Sequence, residues 1–108
     1  MENNLIKIFE DTIINEQDGT IINDLINLNI INLNDLTEKI IKTNNAKYIY
    51  ELAHYIKGAQ IDKLANEVIK TNNIEYIYSF AKYVKGAPID ILADAIIKYN
   101  SAEYIFDF

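Results

Sequence analysis

Apolar residues recur at helical spacing in two successive segments of the chain, at positions i, i+3, i+4, i+7 and i+8. The first stripe consists of Ile61, Leu64, Ala65, Val68 and Ile69. A second apolar stripe of the same kind consists of Ile74, Ile77, Phe80, Ala81 and Val84. Polar residues 71–73 separate the two stripes. The pattern predicts a helical hairpin, whose members we name helix A and helix B.

This hairpin pattern returns every 28 residues. Segments 33–60 and 61–88 share 14 identities in 28 positions, and segments 61–80 and 89–108 share 11 in 20. A fixed period of this length is typical of stacked helical hairpins. The sequence therefore predicts an all-α fold, a short α-solenoid of about 3.5 repeats that forms a single domain over residues 1–108.

Only some of the repeats are complete. Segments 33–60 and 61–88 are full repeats, whereas 89–108 is truncated about half-way through helix B. A shift of 27 residues aligns Phe9 with Leu36, and Asp18 with the cap residue Asn45. We interpret 1–32 as a degenerate N-terminal capping repeat, because end repeats of solenoids depart from the consensus.

The turns of the repeat are also recognisable. An N-cap residue for helix B recurs at Asn45, Asn73 and Ser101. The residue before each cap is suited to the left-handed conformation that closes helix A, namely Asn44, Asn72 and Asn100. Gly58 and Gly86 are expected to supply the left-handed geometry at the end of helix B, and Pro88 begins the next helix A.

Tyrosines occupy both flanks of helix B. The expected ladders along the stack are Tyr48/Tyr76/Tyr104, Tyr50/Tyr78/Phe106 and Tyr55/Tyr83. Such flanks are usually buried between repeats, which favours inter-repeat packing. The alternative is an aromatic binding surface, since tyrosine is enriched at interface hot spots. For that surface we prefer the rim residues Tyr48, Tyr76 and Tyr83.

Helix B also presents polar side chains opposite the core, and these differ between copies. They include Glu51, His54 and Lys82. Variable outward positions can form a composite face for a partner, so these residues join the candidate binding set. A solvated polar face without a partner has the same pattern, and His54 fits a solvated surface histidine better than a catalytic base.

Charge is distributed unevenly along the chain, whose net charge is −6. Residues 1–38 hold eight acids against Lys7, with Glu10 and Asp11 adjacent, and the chain has no arginine. This balance opposes direct nucleic-acid binding, which depends on Lys and Arg. Glu10 and Asp11 are candidates for an acidic contact with a partner.

The sequence lacks the residues that several kinds of catalytic, cofactor or metal site require. There is no cysteine, a single histidine and no glycine-rich phosphate loop. We therefore expect no enzymatic activity, no cofactor and no metal site. There is neither a basic signal-peptide region nor a run of about 18 apolar residues, so we expect a soluble protein in the cytoplasm of a bacterium or an infected host cell.

The motif Tyr-Ile-Tyr at 48–50 and 76–78, with the following Lys-Gly-Ala, resembles short tandem helical repeats in uncharacterised proteins of A/T-rich bacteria and their viruses. The resemblance covers roughly 33–108 and implies a fold without an activity. Likeness to other helical-hairpin solenoids implies protein binding by fold analogy.

Three functions remain open at this point. The first is a non-enzymatic module that binds a partner protein through an extended helical-repeat face. The second is a small acidic inhibitor from a virus or mobile element, of the anti-CRISPR or anti-defence type, that blocks a nucleic-acid-binding protein. The third is self-association as a homodimer through the C-terminal end. Its candidate residues are Tyr104, Phe106 and Phe108.

Overall fold

The computed structural model describes residues 2–103, with side chains described from residue 4 to residue 99. Within this range the chain forms helices and no strands. The helices are α1 (Glu2–Phe9), α2 (Thr20–Asn27), α3 (Leu33–Lys42), α4 (Ala46–Tyr55), α5 (Ile61–Lys70), α6 (Ile74–Tyr83) and α7 (Ile89–Glu103). A π-helical turn, Glu10–Ile14, continues α1. The predicted all-α fold is confirmed.

The helices pack as hairpins that follow one another in chain order. Helix α3 packs against α4, and α5 packs against α6, each pair being joined by a short turn. Helix α6 also contacts α4 and α7, while α4 contacts α5. The molecule measures 50 × 25 × 22 Å. These contacts and this elongated shape fit a stack in which each hairpin touches its neighbours.

A hydrophobic core runs along the stack. Its fully buried members include Phe9, Ile13, Ile22, Leu36, Ile40, Leu52, Leu64, Val68, Phe80 and Leu92. They come from the π-helical turn and from every described helix, and together they form one continuous cluster that the hairpins share. Burial of each large apolar side chain contributes about 1.5–3 kcal/mol, and the stack is therefore held together mainly by contacts between hairpins.

The two complete hairpins close with the same backbone geometry. Asn44 and Asn72 adopt φ angles of +53° and +60°. Asn45 and Asn73 then cap the next helix, because each side chain accepts a hydrogen bond from the backbone N–H three residues later. Both roles agree with the sequence prediction.

A threonine hydroxyl, which the sequence argument did not use, completes each turn. The Thr43 hydroxyl donates to the carbonyl of Ile40 over 2.6 Å and accepts from the N–H of Asn45 over 3.1 Å. Thr71 makes the equivalent two bonds at 2.6 and 3.3 Å. The hydroxyl thus links the last turn of helix A to the cap of helix B.

The connection from helix B to the next helix A differs in detail from the prediction. Gly58 and Gly86 do have φ angles of +80°. Helix α4, however, ends at Tyr55, and Ile56 is extended. The N–H of Ala59 donates to the carbonyl of Ile56 over 3.4 Å, so glycine occupies the third position of a four-residue turn. A positive φ at that position is what a type II turn requires.

The third hairpin turn, predicted at Asn100 and Ser101, is wrong. Helix α7 runs through both positions without interruption. The residue before them is Tyr99, where the complete repeats have Thr43 and Thr71. A tyrosine cannot make the two short backbone bonds of that threonine, and the helix continues instead.

The N-terminal segment contributes Phe9, Ile13 and Ile22 to the core, but its second helix begins differently from the prediction. Asp18 was expected to cap α2 as Asn45 caps α4. Instead, the Asp18 carboxylate accepts from the N–H and the hydroxyl of Thr20, and Gly19 occupies the cap position. These bonds hold the pKa of the exposed Asp18 carboxyl below its usual value.

A close backbone approach joins this segment to the first full repeat. A Cβ at Gly19 would lie 2.5 Å from the carbonyl oxygen of Tyr55, so a larger residue cannot fit without a shift. Asn23 donates to that same carbonyl over 3.1 Å and accepts from the N–H of Lys57 over 3.0 Å. Helix α2 is thereby fixed to the end of α4.

Candidate partner-binding surface

Helices α4 and α6 lie side by side and carry six of the eight tyrosines of the chain. We name this set the tyrosine face. It consists of Tyr48, Tyr50 and Tyr55 from α4, and Tyr76, Tyr78 and Tyr83 from α6. Exposure divides the set, because the three members on α4 and Tyr76 are partly buried, whereas Tyr78 and Tyr83 are 53% and 54% exposed.

Tyr48 is engaged with the N-terminal segment. Its hydroxyl donates to Oε2 of Glu10 over 2.6 Å, and its ring packs edge-on against Phe9 with centroids 5.9 Å apart. The bond to the Glu10 carboxylate, followed by burial, raises the pKa of Tyr48 to about 12. Of the preferred rim residues, Tyr48 is therefore a packing residue, and Glu10 is its acceptor.

Aromatic contacts continue from α4 to α6, although not in the predicted ladders. The ring of Tyr50 lies 6.0 Å from the ring of Tyr76, and on its own helix Tyr50 stacks on His54 at 5.5 Å. The His54 ring meets Tyr55 edge-on at 4.5 Å. Burial, with a smaller effect of the Glu51 carboxylate, raises the pKa of Tyr50 to about 12. This aromatic layer is partly buried, while His54 is exposed as expected.

Glu51 does not lie on a solvated outer face, and that prediction is wrong. The residue is only 9% exposed, and its buried Oε2 has no hydrogen-bond partner among the described residues. Burial raises the pKa of the carboxyl, and the positive charge of Lys47 opposes this shift. A helical wheel describes contacts on one side of a helix, but α4 is packed against α3, α5, α6 and the π-helical turn. In the middle of a stack, a position opposite the core can still be enclosed.

The exposed part of the tyrosine face is centred on Lys82. The Lys82 Nζ lies 5.7 Å from the ring centroid of Tyr78 and 5.3 Å from that of Tyr83. The neighbouring hydroxyl of Tyr83, followed by the negative charge that Tyr78 acquires when it ionises, raises the pKa of Lys82. The ammonium group lies close to both rings and remains accessible, as cation–π geometry allows. Sequence reasoning selected Tyr83 and Lys82 and missed Tyr78.

The predicted acidic residues, Glu10 and Asp11, make their contacts away from the exposed part of the tyrosine face around Lys82. The Asp11 carboxylate lies 3.7 Å from the Nζ of Lys7, one turn earlier on the helix, and both side chains are exposed. Neighbouring Glu10 accepts from Tyr48, as described above. The remaining candidates, Tyr104, Phe106 and Phe108, lie outside the described residues.

Among the described side chains, those of residues 4–99, acidic and histidine residues nowhere form a group of three that could hold a metal ion. None of the helices in the described part of the chain combines the length and the apolar character needed to cross a membrane.

Fold and surface together define a small all-α protein whose consecutive hairpins present aromatic side chains on two neighbouring helices. Comparison of the chain with protein-family models, curated proteins and solved structures gave no match.

Proposed function

We propose that this chain is a non-enzymatic interaction module of the cytoplasm that binds a partner protein through the exposed part of its tyrosine face. The supporting observation is the pair Tyr78 and Tyr83, each more than half exposed, on either side of Lys82. Large aromatic side chains on a folded surface leave apolar area in water that a partner can cover.

The composition of this surface resembles that of an interface hot spot. Tyrosine supplies a large apolar area with a polar hydroxyl, and few rotatable bonds are lost when it is buried. The partly buried rings of Tyr50 and Tyr76, whose centroids are 6.0 Å apart, belong to the same two helices. Lys82 adds one positive charge, so a partner with an acidic group opposite Lys82 fits best.

The test is a comparison of capture by three immobilised forms of the chain. They are the wild type, the double variant Tyr78→Ser/Tyr83→Ser, and a matched control, Leu28→Ser/Ile30→Ser, which removes two apolar side chains that are 67% and 66% exposed elsewhere. We expect the wild type and the control to retain the same protein from a host lysate. The double variant should lose it, and circular dichroism should show that all three remain folded.

Salt and charge variants distinguish this proposal from an acidic inhibitor. A tyrosine-centred contact should persist when salt is raised from about 0.05 to about 0.3 M, whereas a contact made by exposed acids weakens steeply. Retention by the double tyrosine variant, with loss at high salt or in Glu10→Gln/Asp11→Asn, would favour the inhibitor of the anti-CRISPR type and contradict the tyrosine face.

A further inference from the structure

A groove borders the turn that joins α4 to α5. It is formed by the last turn of α4, the turn residues 56–59, the first residue of α5, and Lys85 from the equivalent turn after α6. Its volume is about 420 Å³. Ligand sites in proteins are usually clefts of about 300–1,000 Å³. The groove is therefore large enough to hold part of a ligand.

The floor of the groove is apolar. Ala53 and Ile56 are buried, and Ala59 and Ile61 are partly buried beside them. An apolar side chain that packs on this floor is removed from water, which favours its binding.

The rim of the groove carries two ammonium groups and an imidazole. Lys57, Lys85 and His54 are exposed, and none of the residues that line the groove is acidic. Among the described residues, no carboxylate lies within ion-pair distance of the Nζ of either lysine, whereas four other lysines have such a partner, namely Lys7, Lys63, Lys70 and Lys98. The two groove lysines therefore leave their charges available to a ligand.

The sequence repeat brings these two lysines to one groove. Lys57 and Lys85 stand 28 residues apart, and each directly precedes a glycine whose φ angle is +80°. Each follows an extended residue, Ile56 or Val84, that ends helix B. Because α4 and α6 pack side by side, the two turns lie next to each other and both lysines line the same groove.

Neighbouring side chains hold this end of α4 in place. Asn23 donates to the carbonyl of Tyr55 and accepts from the N–H of Lys57, which fixes the backbone on one side of the groove. The ring centroid of His54 lies 5.5 Å from that of Tyr50 and 4.5 Å from that of Tyr55. A ligand thus meets a backbone and an imidazole that are already positioned, and this lowers the cost of ordering on binding.

The groove is far from the last described residue of the chain. Lys85 shortly precedes Ile89, where the 15-residue helix α7 begins. Helix α7 then carries the chain about 21 Å along its axis to Glu103. The groove and Glu103 therefore lie at opposite ends of α7.

We propose that this groove binds an acidic peptide segment of a partner protein. Carboxylates of the peptide pair with Lys57 and Lys85, and an apolar side chain between them packs on Ile56 and Ile61. A nucleic acid fits less well, because it has no aliphatic side chain for the floor. The chain also has a net charge of −6 and no arginine, which opposes binding to a phosphate backbone.

Fluorescence anisotropy tests the proposal with a short labelled peptide of alternating glutamate and leucine. Three forms of residues 1–108 are titrated: the wild type, Lys57→Gln/Lys85→Gln, and the matched control Lys7→Gln/Lys98→Gln, which removes the same charge from exposed lysines elsewhere. We expect equal affinity for the wild type and the control. The groove variant should bind about tenfold more weakly, as the loss of two exposed ion pairs implies.

Two results of this titration would overturn the proposal. One is a wild type that does not bind the peptide at hundreds of micromolar. The other is equal weakening in the two double variants, which would show a dependence on net charge without a site. Circular dichroism should show the same helical content for all three forms.

Related probes test the chemistry of the occupant. Serine in place of leucine in the peptide should weaken binding, and lysine in place of glutamate should abolish it. A single-stranded oligonucleotide of the same net charge should bind more weakly than the peptide. An oligonucleotide that binds at least as tightly, or a serine peptide that binds equally well, contradicts an acidic peptide with an apolar anchor.

The double tyrosine variant separates this groove from the tyrosine face. The groove contains neither Tyr78 nor Tyr83, so the inference does not rest on the function proposed above. Tyr78→Ser/Tyr83→Ser should bind the acidic peptide as the wild type does. Loss of the peptide in this variant, with retention by Lys57→Gln/Lys85→Gln, would place the peptide on the tyrosine face and overturn the groove as its site.

Discussion

Helices α4 and α6 are the same element in successive repeats, yet their tyrosines have different surroundings. On α4, Tyr48 is bound to Glu10 of the N-terminal segment, and Tyr50 is covered by the neighbouring α6. On α6, the residue equivalent to Tyr50 is Tyr78, which is 53% exposed. Among the described residues, α4 packs against the π-helical turn, α3, α5 and α6, whereas α6 packs against α4, α5 and α7. The neighbours of a repeat in the stack, more than the identity of the side chain, decide whether a tyrosine is buried or exposed.

The largest effect on stability is expected in the apolar core, to which both helices contribute. Leu52 on α4 and Phe80 on α6 are equivalent and fully buried. Leu52→Ala should lower the free energy of unfolding by about 2–5 kcal/mol and Phe80→Ala by about 3–5 kcal/mol, because each leaves a cavity. Urea denaturation followed by circular dichroism measures both. A cost below about 1 kcal/mol at either position would show that its helix is not part of the cooperative core.

An intermediate effect is expected at Glu51, a buried carboxyl on α4 that has no counterpart on α6. Glu51→Gln should raise the free energy of unfolding at pH 7 by roughly 1–3 kcal/mol, since it removes a buried charge with an unpartnered oxygen. The equivalent of Glu51 on α6 is Ser79, and Glu75→Gln at an exposed site of α6 serves as the control, with little change.

The difference in stability between Glu51→Gln and the wild type should depend on pH. Burial raises the pKa of Glu51 in the folded state above its ordinary value of 4.5. The protonated form is therefore favoured by folding, and this stability is present below pH 4.5 and lost as pH rises through the folded-state pKa. The advantage of Glu51→Gln should be small in acid and grow over that interval. A difference between variant and wild type that is constant with pH would contradict a titrating Glu51.

The smallest effect on stability is expected from loss of a tyrosine hydroxyl, and it should differ between Tyr48 and its equivalent Tyr76. Tyr48→Phe removes the bond to Glu10 and should cost about 1 kcal/mol of stability. Glu38 stands the same number of residues before Tyr76, but its carboxylate is paired with Lys63, so Tyr76→Phe should cost less. In a spectrophotometric titration, Glu10→Gln should lower the pKa of Tyr48 from about 12 towards 10. Equal costs for the two phenylalanine variants would remove the distinction between the helices.

Local chemistry explains what could be predicted from the sequence. The left-handed Asn44 and Asn72, the caps Asn45 and Asn73, and the positive φ of Gly58 and Gly86 each depend on a residue and its nearest neighbours. The missing turn at Asn100 shows the limit of that approach. Its cap residues were present, but the complete turns also use a threonine hydroxyl on the β-carbon, and the hydroxyl of Tyr99 stands at the far end of its ring instead.

The candidate surface was harder to predict because exposure depends on neighbouring helices. A wheel placed Glu51 outward, whereas the packed stack encloses it. The same reasoning grouped Tyr48 with Tyr83 among the rim residues, although the N-terminal segment contacts Tyr48 and Tyr83 is exposed. Tyr78 could have been found by asking which side of each helix B the neighbouring helices cover.

The stacking of each hairpin on its neighbours also shapes how the chain reaches its native state. Because the packed helices are close in sequence, little loop-closure entropy opposes their first contacts, and low-contact-order helical chains fold in microseconds to milliseconds. Helices α4 and α5, with neighbours on both sides, should form the nucleus and give the slowest amide exchange. Growth then proceeds outward in both directions, and the terminal helices are the last to be held in place.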